Sequence, residues 1–458
     1  MTTQVQDRFQ IDSLSLADDV VREVMKLGAD ACDVVVSEGA DFSVQVRLGR
    51  IEKLEESISR GLGIRVFKDG AVGLVHTTDF ADKSIKELVK DAIAIARVSD
   101  RDAANGLAPR ELLGRYAGKL NIYDPSISAI SPARKIEMAR ACEDAGLALD
   151  PRIKNSDGAS WFDAEGRFTL ATSDGFRGQY AGTTAGISAS LLAEEDGVKQ
   201  TDSWYSYDRF VSRLDTPEAV GKEAARRTVA RLGSRKVKSQ TAALVVDPLV
   251  SRRFVSMIFG AASGGSIYRK SSFLLDRLGT VIAAPGVTID DDATLEDGPA
   301  SRPFDGEGLP GRRLRLVENG TLGEIPCESY FARKLGRSPT GNAVRGYASG
   351  PAAGSTNLFM QPGSDSPSDI IRSVKNGLYL NSLMGMGFNG VTGDLSQGAS
   401  GYWIENGEIA FPVQEITIAG NFLDMLAGIE RIGNDLSFKM GSTAAPTLLI
   451  REITIGGS

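Results

Sequence analysis

A run of three carboxylates, Asp290-Asp291-Asp292, a single histidine, His76, and three cysteines, Cys32, Cys142 and Cys327, are the side chains whose chemistry stands out in this sequence. Consecutive aspartates can hold magnesium or calcium, but this run lacks the spacing and glycine of an EF-hand loop and reads as a solvated turn. A serine or cysteine nucleophile needs a base. His76 is the one histidine available, and it closes the strand-like run in AVGLVHTTDF on the face shared by Val72 and Leu74, where a structural role is expected. Catalytic zinc takes three protein ligands and keeps a position for water, a set that one histidine and three scattered cysteines do not supply. The cysteines form no C-x-x-C pair, so neither a disulfide framework nor a thiolate metal site is indicated. Gly385-Met386-Gly387-Phe388-Asn389-Gly390 matches the dinucleotide string G-x-G-x-x-G. Because VTGDLSQGASG follows where a helix should receive the pyrophosphate, a glycine-rich loop beside a strand is expected instead.

The elements that must position these residues give an α+β pattern. Residues 1–235 read as an N-terminal α/β unit with an antiparallel meander and helices, in sub-regions of about 1–110 and 111–235. Residues 240–458 read as a mainly antiparallel, barrel-like β domain, with the polar stretch SRKVKSQ at 234–240 as the link. Ser15 with Asp18 resembles a capping box, with Leu16, Val20, Val24 and Leu27 on one helical face and Gly28 as the stop. Residues 32–77 fall into five short runs divided by Gly39, Gly49, Gly61 and Asp69-Gly70. Further helices are expected from Phe80 to Val98, from Ser131-Pro132, and from Thr216-Pro217 to Gly233. Asp157-Gly158, Asp174-Gly175 and Asp196-Gly197 mark hairpins between strands. Beyond the link, a helix over Pro248 to Phe259, a short helix over Asn421 to Ile432 and a closing strand TLLIREITI frame turn-rich strand sequence. The string GVTGDLSQGASGYWIENGEIAFPVQEITIAGN reads as half-buried sheet, to which an extended peptide could add along an edge.

Composition narrows the function classes. A net charge of -7 gives no broad attraction to phosphate backbones, so direct nucleic-acid binding is not expected. MTTQVQDRFQIDSLSLADD has no apolar signal core, and the uncharged run Phe254 to Tyr268 is too short and too weakly apolar to span a bilayer. No membrane association and a cytoplasmic location are expected.

Several strings together resemble the TldD/PmbA family, in its PmbA (TldE) branch: GRIEKLEESISRGLGIRVFKDGAVGLVHTTD, FDGEG from Phe304 to Gly308, TGDLSQGASGYWIENGEIAFPVQEITIAGN and IGNDLSFKMG. In the TldD branch the peptidase site is H-E-x-x-x-H on the early helix of the C-terminal domain, with a cysteine nearer the C-terminus. Two such histidines lie about 140° apart on a regular helix, so the helix must break, and a glycine before the second permits it. With Arg269-Lys270 as anchor, the ligand positions fall on Ser256 and Ala261 and the catalytic glutamate on Met257, while Gly260 keeps the permissive glycine. No cysteine follows Asn434, where the chain reads DLSFKMGSTAAPTLL with Asp435 its one carboxylate.

The resemblance implies a chain without catalytic, cofactor or metal residues of its own. It would be the partner of a TldD-like catalytic subunit that carries zinc, acting on small or unfolded peptides such as peptide-antibiotic precursors and antitoxins, with a homodimer conceivable in isolation. The older label of gyrase modulator fits an indirect effect through such peptides. A peptide-binding protein without cleavage, and an autonomous non-zinc hydrolase built on carboxylates or His76, are the competing readings.

Overall fold

Three of the four early α-helices among the described residues start where a side chain satisfies a free N–H of the first turn. The computed structural model, which describes Phe9 and residues 11–457, opens with α1 (Ser13–Lys26). Its cap is Asp12, whose carboxylate accepts from the Ser15 N–H at 3.1 Å and the Ser15 hydroxyl at 2.7 Å, so Ser15 lies inside the helix rather than capping it. The buried stripe is accordingly Ser13, Ala17, Val20 and Val24, and Leu27 is exposed. Strands β1 (Ala31–Arg47), β2 (Arg50–Lys68) and β3 (Ala71–Thr77) follow, then α2 (Asp82–Val98). Ser131 and Thr216 cap α3 (Pro132–Leu147) and α4 (Pro217–Val229), each with proline in the first turn. Between these lie β4 (Ile153–Thr172), β5 (Arg177–Glu195) and β6 (Val198–Asp208).

The five runs expected in residues 32–77 are three long strands. Gly39 and Gly61 stand inside β1 and β2, and the turns are Leu48-Gly49 and Asp69-Gly70, both pairs with positive φ. Asp157-Gly158 is likewise no hairpin but a register shift within β4. The two meanders merge because β1 pairs with β4, Asp33–Val46 against Ala159–Thr172, giving one antiparallel sheet in the order β3-β2-β1-β4-β5-β6. All four helices cover one face. Val34 and Val36 pack under α1 and α2, and Phe42, Val44 and Val46 under α3 and α4.

The second half begins with β7 (Gln240–Val246), α5 (Pro248–Ala262) and α6 (Gly264–Tyr268). Short elements come next: β8 (Ile289–Asp292), β9 (Arg313–Glu318), β10 (Thr321–Leu322), α7 (Ser329–Lys334), β11 (Ala343–Val344), β12 (Ala352–Ala353), β13 (Leu358–Met360) and α8 (Pro367–Arg372). The chain closes with β14 (Asn376–Met384), β15 (Asp394–Glu405), β16 (Glu408–Asn421), α9 (Phe422–Ala427), β17 (Ile429–Ile432), β18 (Thr443–Ala444) and β19 (Leu448–Gly456). The expected helix to Ile432 thus ends early, and its last residues form β17. Strands β16, β15, β14, β7 and β19 are hydrogen-bonded in that order, and β19 returns to β16, so five strands close a barrel with β17 added on β19. All pairs but β14 with β7 are antiparallel. Helix α5 buries Phe254, Val255 and Ile258 in the core shared with the barrel. No helix among the described residues is long and apolar enough to cross a membrane.

The open face of the N-terminal sheet meets this second half. Val35, Leu170, Phe176 and the fully buried Phe304 form a shared cluster against Tyr347 and Tyr180. Tyr347 explains the glycines within β2, since a Cβ on Gly61 would overlap its ring and one on Gly63 its backbone carbonyl. Gly63→Ala is therefore expected to lower the unfolding free energy by about 2–4 kcal/mol, because backbone cannot move aside as a flexible side chain would. Urea denaturation checks this; an unchanged midpoint would mean that Tyr347 does not seat on β2.

Candidate functional site

Helix α5 carries Ser256, Met257 and Ala261, the positions that the family resemblance aligns with the TldD zinc motif. Asp247 caps it, accepting from the Leu249 N–H at 2.8 Å and from the Tyr379 hydroxyl at 2.6 Å. Ser256 is exposed, with its hydroxyl donated to the Arg252 carbonyl, Met257 is half-buried against the core, and Ala261 is buried. The helix runs unbroken through Gly260, whose φ is not positive and which faces open space, and it ends at Ala262. The break that a glycine at 260 would permit is thus absent. The chain turns instead at Ser263, and the Ser263 and Ser266 hydroxyls both donate to the Gly260 carbonyl at 2.9 Å. Positions 256 and 261 consequently point to opposite sides, one to solvent and one to the core.

The remaining sequence candidates do not converge on α5. His76 is exposed on β3, 5.9 Å ring to ring from Tyr347, beside a shallow hollow of about 470 Å³ lined by Leu88, Asp91 and Ile95. All three cysteines are buried, and burial pushes the Cys142 and Cys327 thiols up to about 12, away from thiolate chemistry. Gly385 to Gly390 lie in the loop joining β14 to β15 and precede a strand rather than a helix. Asp435 accepts from the Thr447 N–H and hydroxyl, a structural role. Strand β15 is paired on both sides, so the part of the C-terminal string that forms it has no free edge for an added peptide.

The three aspartates are not a solvated turn. They form β8 and are all buried, each held by a different set of donors. Asp290 pairs with Arg313 and Arg315 and accepts from Gln361, and Asp292 accepts from the Thr294 N–H and hydroxyl. Asp291 accepts at 2.6 Å from both the Thr356 N–H and the Asn342 amide, and burial pushes its carboxyl up to about 6.

Asp291 belongs to a larger buried polar seam between the halves, which sequence reasoning missed. At its centre the Asp33 carboxylate on β1 accepts from Arg65 on β2 and, at 2.7 Å, from Arg345 of the second half. Burial alone would raise the Asp33 pKa, but the two guanidinium groups hold it below the usual range. Glu307 lies 3.8 Å from Arg65 and accepts from the Ser329 N–H at the start of α7. Asp305 accepts from the N–H groups of Glu307, Leu309 and Ala343, and burial together with Glu307 pushes it up to about 6. FDGEG is therefore a bracket, with Phe304 in the apolar cluster and both carboxylates ordering backbone. The available signals were charges inside otherwise apolar runs, Asp33 in CDVVVSE and Arg65 in LGIRVFK.

The comparisons with known proteins fit this architecture. Profiles of the PmbA/TldA metallopeptidase family match residues 32–96 as domain 1, 125–232 as the central domain and 239–457 as the C-terminal domain. This chain belongs to the PmbA/TldD family. It is 37% identical to Metalloprotease PmbA of Escherichia coli O157:H7, over 94% of this chain and 93% of that protein. A PmbA homologue from Haemophilus influenzae is 34% identical over the same shares, 94% and 93%. A solved Bacteroides thetaiotaomicron protein named for modulation of DNA gyrase superposes with a TM-score of 0.90 at 28% identity, covering 98% of this chain and all of that one (100%). TldE from Thermococcus kodakarensis shares the fold, with a TM-score of 0.87 at 21% identity over 96% and 100% of the two chains.

The relatives' name implies a metal. Among the described residues no three His, Cys, Asp or Glu side chains gather to hold one, and α5 offers a hydroxyl, a thioether and a methyl at the three positions that the resemblance aligns with the motif. These side chains do not fit catalytic zinc, which takes histidine, cysteine or carboxylate ligands.

The raised carboxyls give a signed pH dependence. With folded values near 6 against an ordinary 3.8, Asp291 and Asp305 bind more protons folded than unfolded between those limits, so stability falls as pH rises through that window. Asp291→Asn is expected to flatten this slope and to be at least as stable as the parent at pH 8. Its new amide can donate to Asn342 once that side chain flips, because the Asn342 carbonyl oxygen has no partner among the described residues. Urea titrations from pH 4 to 8 read both effects, and a steeper slope would contradict the assignment.

Proposed function

We propose that this chain is the TldE-type, non-catalytic subunit of a metallopeptidase whose zinc is held by a TldD-like subunit. The observation that carries the reading is the chemistry of α5. Ser256, Met257 and Ala261 stand on a regular helix where zinc ligands and a water-activating glutamate would be needed. A TldD homologue of Buchnera aphidicola, 24% identical over 87% of this chain and 86% of its own length, supports a shared ancestry with that branch. The substrates are small or unfolded peptides, and the complex is cytoplasmic.

Peptide hydrolysis is expected only when a subunit bearing H-E-x-x-x-H is mixed in, and is expected to disappear when that subunit's glutamate is replaced. The chain alone should hold well under one zinc per molecule after desalting. Chelator-insensitive cleavage by the purified single chain would overturn this reading in favour of an autonomous hydrolase, for which His76→Ala is the first variant to make.

A further inference from the structure

Strand β2 outruns its neighbour. Of its 19 residues only Leu62–Lys68 pair with β3, whereas the other edge is paired with β1 from Arg50 to Phe67. The outer edge from Arg50 to Gly61 therefore carries no backbone partner among the described residues. Register sorts its side chains. Ile51 stands opposite Val46, Leu54 opposite Val44 and Ile58 opposite Ala40, on the face whose Phe42, Val44 and Val46 are buried beneath α3 and α4. Yet Ile51, Leu54 and Ile58 are 45%, 47% and 71% exposed. An apolar stripe continuous with the core thus runs out to an unpaired edge.

Soluble proteins usually blunt such edges with proline, inward charges or a covering loop. Arg50–Arg60 holds no proline and no covering loop among the described residues, and between Leu54 and Ile58 its apolar face carries one charge, Glu56. One scattered apolar residue would need no explanation, but three on one face beside free backbone groups make a template for an added strand.

The charges select among occupants. Lys53 pairs with Glu55 and Arg47 with Glu52, which leaves Glu56, between Leu54 and Ile58 on the apolar face, without a counter-ion among the described residues. A second copy is a poor occupant. The two-fold antiparallel register that sets Leu54 against Ile58 must also set Glu56 against Glu56, and like charges directly opposite are destabilising.

We propose that the edge Arg50–Arg60 accepts a strand from a different polypeptide, an extended segment with alternate apolar residues and a lysine or arginine placed opposite Glu56. Resting on the reading above, that polypeptide is the TldD-like subunit. The strand extends the N-terminal sheet beyond β2, and its apolar side chains cover Ile51, Leu54 and Ile58.

The test uses the full-length chain and the TldD-like subunit of the same organism, with affinity from sedimentation velocity and protection from amide hydrogen exchange. Leu54→Ser with Ile58→Ser is expected to weaken association at least ~30-fold, and Glu56→Lys about 10-fold. Both variants alter exposed side chains, so their melting temperatures should match the parent's. In the parent complex the amides of residues 51–60 should exchange more slowly than in the free chain. If the parent does not bind the TldD-like subunit at all, the companion reading fails and takes this surface with it. If the parent binds but both variants bind within twofold of it and the amides stay unprotected, this surface is wrong while the companion reading stands. Protection of these amides in the chain alone, rising with its concentration, would overturn the assignment to a different polypeptide.

Discussion

The Asp33 carboxylate, buried between Arg65 on its neighbouring strand and Arg345 from the other half of the chain, is the constraint on which the rest of the structure depends. Both partners are almost fully buried, so neither charge can be left alone. Breaking such a pair by removing one member typically costs about 3–5 kcal/mol, because the survivor stays desolvated and unpaired. Around this triad the chain must bring Arg345 onto β2, and everything nearby follows from that approach. Gly61 and Gly63 admit Tyr347, Phe304 fills the apolar pocket beside it, and Glu307 ties Arg65 to the start of α7.

The same seam separates structural acids from chemical ones. Asp290, Asp291, Asp292, Asp305 and Glu307 make an acidic concentration that invites a metal reading, yet each carboxylate faces donors from arginine, asparagine, threonine or backbone. Helix α5 tells a parallel story. A metal helix that must bring residues five apart to one ion needs a broken backbone, and here the helix continues through Gly260 and breaks only at Ser263. With Ser256, Met257 and Ala261 along it, nothing opposes the regular helical hydrogen bonds.

Local pattern made much of this legible in the sequence. Proline after a serine or threonine cap placed α3 and α4, and paired turn residues placed the hairpins at Asp69-Gly70, Asp174-Gly175 and Asp196-Gly197. Glycines misled wherever a distant group was their cause, as at Gly61, whose missing side chain makes room for a tyrosine far along the chain. Aspartates misled in the same way. The run at 290–292 looks solvent-loving in isolation, and the pairing of β8 with β9 and β13 brings up donors distant in sequence, among them Arg313 and Gln361. At α5 the residue types at Ser256, Met257 and Ala261 could be read directly, whereas the path of the backbone past Gly260 could not.

The seam is expected to make the two halves unfold as one cooperative unit, and tryptophan reports on each half separately. Trp161 and Trp204 lie in the N-terminal sheet and Trp403 in the barrel. Urea unfolding is followed by fluorescence in two variants, Trp161→Phe with Trp204→Phe, and Trp403→Phe, each with and without Arg345→Met. The expected result is coincident midpoints for the two reporters, displaced together to lower urea by the Arg345 substitution. Two separated transitions, with only one moved when Arg345 is replaced, would contradict it.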